Sequence, residues 1–248
     1  METPAFRSRP PSELLDAAFQ MIRARYEQLA LLALIITSPV MVLQVMVTSA
    51  QGQRWVTMLD GLLTNYVIAA AVVVVSEAYL GRTVEVGEVL KRVASRFGSI
   101  WGAAFIRGFF LILGLLLLVI PGIIAMIVTF AMPIAVMVEG ASASESFERS
   151  RALAKENWGR IAVTLGLAVL LQFVAIFGAG FAVGAVLGPS IWTNLLVQVV
   201  ATLLAPFPAV VGTLLYYDLR IRKEGFDIQM LMEQMGDGAG RRRYRFAF

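Results

Sequence analysis

Charged residues lie within or beside long apolar stretches at five positions, namely Asp60, Glu77, Arg107, Glu139 and Asp218. Charges at membrane depth are costly, and where they occur they often carry ions or relay protons. Most of these residues are close to the end of an apolar stretch, and the acids have neither relay spacing nor metal-ligand spacing. We expect Arg107 either to extend toward the membrane surface or to pair with Glu77 or Glu139. Contact with an ion or substrate is the functional alternative.

Histidine and cysteine are both absent from the 248 residues. Thiolate nucleophiles, Cys/His metal sites, His-ligated haem and Ser-His-Asp triads are therefore excluded. Carboxylates, Lys and Tyr remain as possible acids, bases or nucleophiles, but no catalytic motif accompanies them. We expect a protein without catalytic turnover, metal or cofactor.

Glycines recur at four-residue spacing in a late apolar stretch, at Gly180, Gly184 and Gly188. This spacing puts them on one stripe of a helix and lets another backbone come close. Packing within the chain and docking of another protein's helix both fit the pattern. On the first interpretation, Gly184→Leu should disrupt close helix packing.

The elements that position these residues are membrane spans. The chain is 58% hydrophobic and 15% charged, with a mean hydropathy of +0.77. Such a composition predicts an all-α integral membrane protein, because a soluble fold cannot cover so much apolar surface. About six spans are expected, at roughly 29–47, 62–80, 101–120, 123–138, 161–186 and 191–217. Pro121-Gly122 is expected to form a tight helix-helix turn, and Pro206 and Pro208 to kink the last span.

Basic residues are confined almost entirely to one set of connecting segments. The opposite loops, expected near 51–57, 121–122 and 187–190, contain only Arg54. Short basic segments are retained in the cytoplasm, so both termini are expected on that side of a bacterial inner membrane. The basic positions are Arg7, Arg9, Arg23, Arg25, Arg82, Lys91, Arg92, Arg96, Arg149, Arg151, Lys155, Arg160, Arg220, Arg222, Lys223, Arg241, Arg242, Arg243 and Arg245.

The segments that precede each pair of spans share an amphipathic pattern. Apolar residues of 14–26 and of 86–97 each fall on one helical face, and the segment Ser142 to Trp158 opens with a possible capping box of Ser142 and Glu145. We therefore predict three hairpins, at about 29–80, 101–138 and 161–217, each preceded by a cytoplasmic amphipathic helix. Residues 1–28 would form the leader and 218–248 a basic tail.

The basic residues near the C-terminus are expected at an anionic surface. Arg220, Arg222 and Lys223 follow the last span beside Tyr216 and Tyr217, which are expected to be interfacial aromatics. Attraction to anionic lipids is worth about 1 kcal/mol per basic residue. We expect anionic lipids of the bilayer and other membrane protein subunits to be partners, and no nucleic acid to be bound. The more distal basic residues are Arg241, Arg242, Arg243 and Arg245.

Two stretches of the sequence carry a family resemblance. The first runs from Pro121 through Pro133 and Glu139 to Ser146-Phe147-Glu148-Arg149-Ser150 and Trp158. The second runs from Tyr216-Tyr217-Asp218-Leu219-Arg220 through Asp227. Together they resemble uncharacterised bacterial inner-membrane proteins related to the membrane domain of glycerophosphodiester phosphodiesterases. The resemblance implies a multi-helix inner-membrane fold over about residues 12–228. In those enzymes catalysis belongs to an appended soluble barrel, which this sequence lacks, so no activity is implied.

The leading functional hypothesis is a non-enzymatic membrane protein that works by contact. It would be an accessory or scaffold subunit of a larger complex, or an organiser of the membrane. The alternative is a small transporter or lipid-handling protein with a cavity between repeats. A membrane-embedded hydrolase ranks third, because acids near the interface lack metal-ligand spacing.

Overall fold

A computed structural model describes residues 10–224, and these residues form helices without a strand. Six helical segments are long and apolar enough to cross a membrane, which confirms the all-α, multi-span prediction. The helices are α1 (Pro11–Met46), α2 (Ala50–Tyr79), α3 (Val86–Ser95), α4 (Phe97–Leu117), α5 (Val119–Thr129), α6 (Met132–Val138), α7 (Ala143–Ala154), α8 (Trp158–Leu187), α9 (Ile191–Leu204) and α10 (Pro206–Glu224).

Residues 11–28 of the predicted leader and the first span form one helix, α1, in which Arg25 has a non-helical conformation. The predicted loop at 51–57 is wrong, because α2 already begins at Ala50. Ser49 caps this helix by accepting a hydrogen bond from the Gly52 N–H at 3.2 Å. A helix of this length extends about 45 Å, so it reaches well past the hydrocarbon.

The turn between the third and fourth spans lies at Leu118. The expected turn at Pro121-Gly122 is therefore wrong, since both residues belong to the beginning of α5. Proline fits there because the first N–H groups of a helix have no helical partner. A Cβ on Gly114 would come within 2.9 Å of the Gly122 Cα, so glycine is what allows α4 and α5 to approach so closely.

The fourth span is broken between α5 and α6, just before Pro133. Ser150 of α7 bonds to both sides of the break. Its hydroxyl donates to the Val128 carbonyl at 2.6 Å and accepts from the Ala131 N–H at 3.0 Å. Helix α7 thus supplies hydrogen bonds to backbone groups at the break in the fourth span.

The sixth span is divided at Ala205, where the prolines predicted a kink. Pro208 has no N–H to offer the carbonyl four residues earlier, that of Leu204. Gln172 of α8 donates its side-chain amide to this carbonyl at 3.0 Å. A polar side chain within a span therefore satisfies a backbone group that proline leaves without a helical partner.

The core centres on α2 and α10, which pack against each other. Every residue from Ala69 to Val75 is buried, as is almost all of α10 from Ala209 to Ile221. The expectation that Tyr216 and Tyr217 are interfacial is wrong, because they are 0% and 1% exposed. The Tyr217 ring stacks on that of Tyr79 of α2, with 4.5 Å between centroids. Aromatic packing between helices outweighs the surface preference of tyrosine here.

Helices α3 and α7 contact the end of the bundle where Glu77, Glu139 and Glu224 lie, which we call the basic end. Val89 and Val93 of α3 are buried. The predicted capping box of α7 is confirmed: the Ser142 hydroxyl accepts from the Glu145 N–H at 3.4 Å, and the Glu145 carboxylate accepts from the Ser142 N–H at 2.8 Å. These bonds from Ser142 lower the pKa of Glu145 below its usual range.

Candidate functional site

Five polar side chains at the basic end form what we call the ionic network: Glu139, Arg149, Tyr216, Arg220 and Glu224. Glu139 directly follows α6 as its C-terminal cap residue, and the left-handed backbone of Gly140 (φ +69°) turns the chain toward α7. Tyr216, Arg220 and Glu224 recur at four-residue spacing, so they share one face of α10. Three helices thereby converge on one cluster of charges.

Arg149 is the centre of this network, since it binds two carboxylates from different helices. Its Nε donates to both Glu139 oxygens at 2.9 and 2.8 Å. Its Nη2 donates to Glu139 at 2.8 Å and to Glu224 at 2.9 Å, and its Nη1 also binds Glu224. The bond with Glu224, followed by that with Glu139, raises the pKa of Arg149. A planar guanidinium suits such forked binding better than an ammonium group does.

Tyr216 and Arg220 complete the ionic network from α10. The Tyr216 hydroxyl donates to the Glu139 carboxylate, and the Arg220 guanidinium lies over the Tyr216 ring at 5.8 Å from its centroid. Arg220 also binds Glu224 at 3.1 Å and lies 3.8 Å from Glu139. The two arginines and two glutamates have no net formal charge. The network therefore joins α6, α7 and α10 while compensating its own charges.

A second ionic pair ties α8 to α10. Asp218 is 3% exposed, and its Oδ2 lies 2.8 Å from Arg160 and 3.1 Å from Arg222. Lys223 donates to the carbonyls of Ala152 and Lys155 at the end of α7, at 2.9 and 2.6 Å. The residues predicted at a membrane surface, Arg220, Arg222 and Lys223, thus all have partners within the chain. Arg241, Arg242, Arg243 and Arg245 lie outside the described residues.

Glu77, one of the expected intramembrane acids, is paired with Arg92 and not with Arg107. Glu77 binds Arg92 of α3 at 2.6 Å, and Arg92 also binds Glu88. These contacts, that with Glu77 above all, raise the pKa of Arg92. Neither Glu77 nor Glu139 is bonded to Arg107, which lies about halfway along α4 and is partly buried. Within residues 10–224 no hydrogen bond or ion pair involves Arg107.

The glycine stripe does not make the close intramolecular contacts that were expected. A Cβ on Gly184 or Gly188 would meet no atom within 4 Å, and one on Gly180 would only touch Val197 at 3.7 Å. Closer contacts between helices occur at other glycines, among them Gly114 and Gly102, where a Cβ would lie 2.8 Å from that of Ala143. Docking of another protein's helix on the stripe stays a prediction.

An open depression of about 480 Å³ adjoins the ionic network. Its lining residues are Glu139, Gly140, Ala141, Glu145, Glu148, Arg149 and Ala152. The carboxylate of Glu139 is already bound to Arg149 and Tyr216, which leaves it poorly placed to serve as a general base. Among residues 10–224, acids do not gather into a group that could hold a metal ion. The chemistry of this end is charge pairing between helices.

The sequence contained a signal for the ionic network. Glu139 and Arg149 both belong to the first stretch that carries the family resemblance, and Tyr216 and Arg220 to the second. The four-residue spacing from Tyr216 to Glu224 also places three polar groups on one helical face. What sequence reasoning missed is that the two stretches contact each other.

The architecture and the ionic network define a multi-pass helical membrane protein whose helices are joined by ion pairs at one end. Comparison of the chain with family models, curated proteins and solved structures found no match.

Proposed function

We propose that this chain is a non-enzymatic protein of the bacterial cytoplasmic membrane that acts by contact, as an accessory or scaffold subunit or as a membrane organiser. In this proposal both termini and the basic end face the cytoplasm. The distribution of Lys and Arg supports that orientation, because basic segments are retained there. The family resemblance supports the same membrane.

The proposal rests on the fixed position of α7, which is packed on one face and exposed on the other. Its inner face is buried through Ser146, Ser150, Leu153 and Ala154, and Arg149 on its flank joins α6 and α10. Its outer face leaves Ser144, Glu148 and Arg151 exposed. A polar helix surface held in a fixed orientation suits recognition, because little conformational entropy is lost on binding.

A design of three repeats supports a docking role for the basic end. In it the first part of α1, then α3 and then α7 each precede a pair of spans. The sequential pairs α1 with α2, α4 with α5 and α8 with α9 pack against each other, as such a design requires. Three polar helical segments would then lie together on the cytoplasmic side.

The gap between the spans beside Arg107 is too small to serve as a transport site, which supports contact over transport at this position. Beside Asn65 and Arg107 the space between helices is about 10 Å³, roughly the volume that holds one water molecule. A transported solute needs a far larger site. Lipid handling, the other half of the alternative, does not require an internal chamber.

The test compares complexes recovered in mild detergent from the native membrane. The variant Glu148→Arg/Arg151→Glu exchanges two exposed charges of α7 while keeping the net charge. Its control, Gln51→Arg/Arg54→Gln, moves an exposed charge near the start of α2, away from α7, and also keeps the net charge. We expect the α7 variant to lose a protein that the parent and the control retain, with no change in thermal stability. Solute flux or turnover by the purified parent in proteoliposomes, with no stable partner recovered, would refute the proposal.

A further inference from the structure

Arg107 is a cation within a membrane span that has no ionic partner among the described residues. It lies on the same stripe of α4 as Ile100, Ala103 and Gly114, which are all buried. At 1.5 Å per residue its Cα is about 15 Å along the helix from Phe97. An uncompensated charge in such a place destabilises the folded protein in the absence of a counter-ion.

The acids of the neighbouring spans are already engaged. Glu77 binds Arg92, and Glu139 binds Arg149 and Tyr216. Asp60 of α2 accepts a hydrogen bond from Gln198 of α9 at 2.8 Å. None of these three acids is therefore paired with Arg107.

The surroundings of Arg107 provide a second donor and an opening. The gap beside it is lined by Asn65 of α2, Ala104 of α4 and Pro133 of α6. The Asn65 amide donates to the Gly61 carbonyl at 2.9 Å and to the Leu62 carbonyl at 3.5 Å, and a ligand can replace the longer of these two contacts. The enclosed part of this gap, about 10 Å³, is too small for a headgroup. A Cβ on Gly61 of α2 or on Gly108 of α4 would meet no atom within 4 Å, so open space for a headgroup lies beside the gap at these two positions.

We propose that Arg107 and Asn65 bind the oxyanion headgroup of an anionic amphiphile that enters between α2 and α4. A guanidinium matches phosphate and carboxylate oxygens in a forked geometry. Helical side chains lean toward the N-terminus, and the N-terminus of α4 is at the basic end, so Arg107 reaches toward the headgroup region. The acyl chain would lie on the exposed apolar face that includes Phe105, Phe109 and Ile112.

This ligand chemistry follows from the solvent of the site. Soluble anions partition poorly into the hydrocarbon, whereas a lipid or fatty acid brings its charge together with an apolar chain. The inference goes beyond the proposed contact function, since binding of the amphiphile requires no protein partner.

The experiment measures the thermal stability of the delipidated full-length protein in neutral detergent during titration. The probes are phosphatidylglycerol, oleate, phosphatidylcholine and inorganic phosphate. We expect saturable stabilisation by phosphatidylglycerol or oleate, and the stronger of the two identifies the headgroup class. Arg107→Gln should weaken apparent affinity roughly tenfold or more, because a charged hydrogen-bond donor is lost. Arg82→Gln, which removes an exposed charge from the α2–α3 turn, should leave the affinity unchanged.

A further variant guards against loss of folding. Arg107→Leu removes an uncompensated cation, so without amphiphile it should melt at or above the temperature of the parent. The proposal is overturned if anionic amphiphiles do not stabilise the parent, or if Arg107→Gln responds as the parent does. It is also overturned if inorganic phosphate alone reproduces the effect, or if a stoichiometric protein that binds through Arg107 replaces the amphiphile.

Discussion

The basic end and the middle of α4 treat charge in opposite ways. At the basic end Arg149, Arg160 and Arg92 each contact a carboxylate within the chain. Arg107, midway along α4, contacts none among residues 10–224. The same residue type thus ties helices together in one region and remains available for an external ligand in the other. Removing a charge should therefore have opposite effects on stability in the two regions.

The largest effect is expected at Asp218. Asp218→Ala would leave Arg160 beside a buried apolar side chain, so we expect the free energy of unfolding to fall by about 3 kcal/mol. Unfolding in mixed micelles with increasing dodecyl sulfate measures this change. Arg107→Leu is the matched comparison, and an equal loss from both variants would remove the distinction between the two regions.

The next effect concerns a paired polar group without charge. Ser150→Ala removes the hydroxyl that bonds to both sides of the break in the fourth span, and we expect a loss of about 2 kcal/mol. Ser144→Ala, on the exposed face of α7, is the control. Equal stability of the two variants in the same unfolding assay would mean that the break does not depend on Ser150.

A smaller effect is expected at Glu224, whose side chain is 28% exposed. Glu224→Gln leaves Arg149 bound to Glu139, so a loss of about 1 kcal/mol is expected after screening by solvent. High salt should reduce the difference between variant and parent. If the difference in unfolding free energy does not change with salt, the side chain of Glu224 contributes through packing and not through its charge.

The smallest effect is at the cap of α7 and depends on pH. Because the folded state lowers the pKa of Glu145, its contribution is complete above its unfolded pKa of about 4.3 and is lost as pH falls through the lower folded value. Glu145→Ala should therefore melt below the parent at pH 6 and approach it near pH 3. A gap of constant size across this range would contradict the assigned cause.

The sequence predicted the features that depend on local chemistry. Runs of apolar residues indicated the spans, Pro206 and Pro208 the interruption of the last one, and Ser142 with Glu145 the capping box. These follow from helix hydrogen bonding and from the solvent. The turn at Leu118 was missed because Pro121 is also acceptable at the start of a helix.

Features that depend on distant contacts were not predictable in the same way. Tyr216 and Tyr217 follow an apolar run, and nothing in their local sequence indicates that α2 and α8 pack around α10. Likewise, basic residues on several segments could pair with Glu77 as far as the sequence shows. The packing of α3 against α2 is what brings Arg92 to it. Partner choice among many similar charges requires three-dimensional proximity.

The Ser150 contact has a mechanical consequence. A continuous helix transmits a force along its axis through its own hydrogen bonds. The fourth span instead consists of two shorter helices, α5 and α6, and the Ser150 hydroxyl of α7 forms hydrogen bonds on both sides of the break between them. A displacement of α7 must therefore either move α5 and α6 with it or break the two hydrogen bonds of Ser150. We therefore expect a force applied to α7 to reach the break in the fourth span through Ser150.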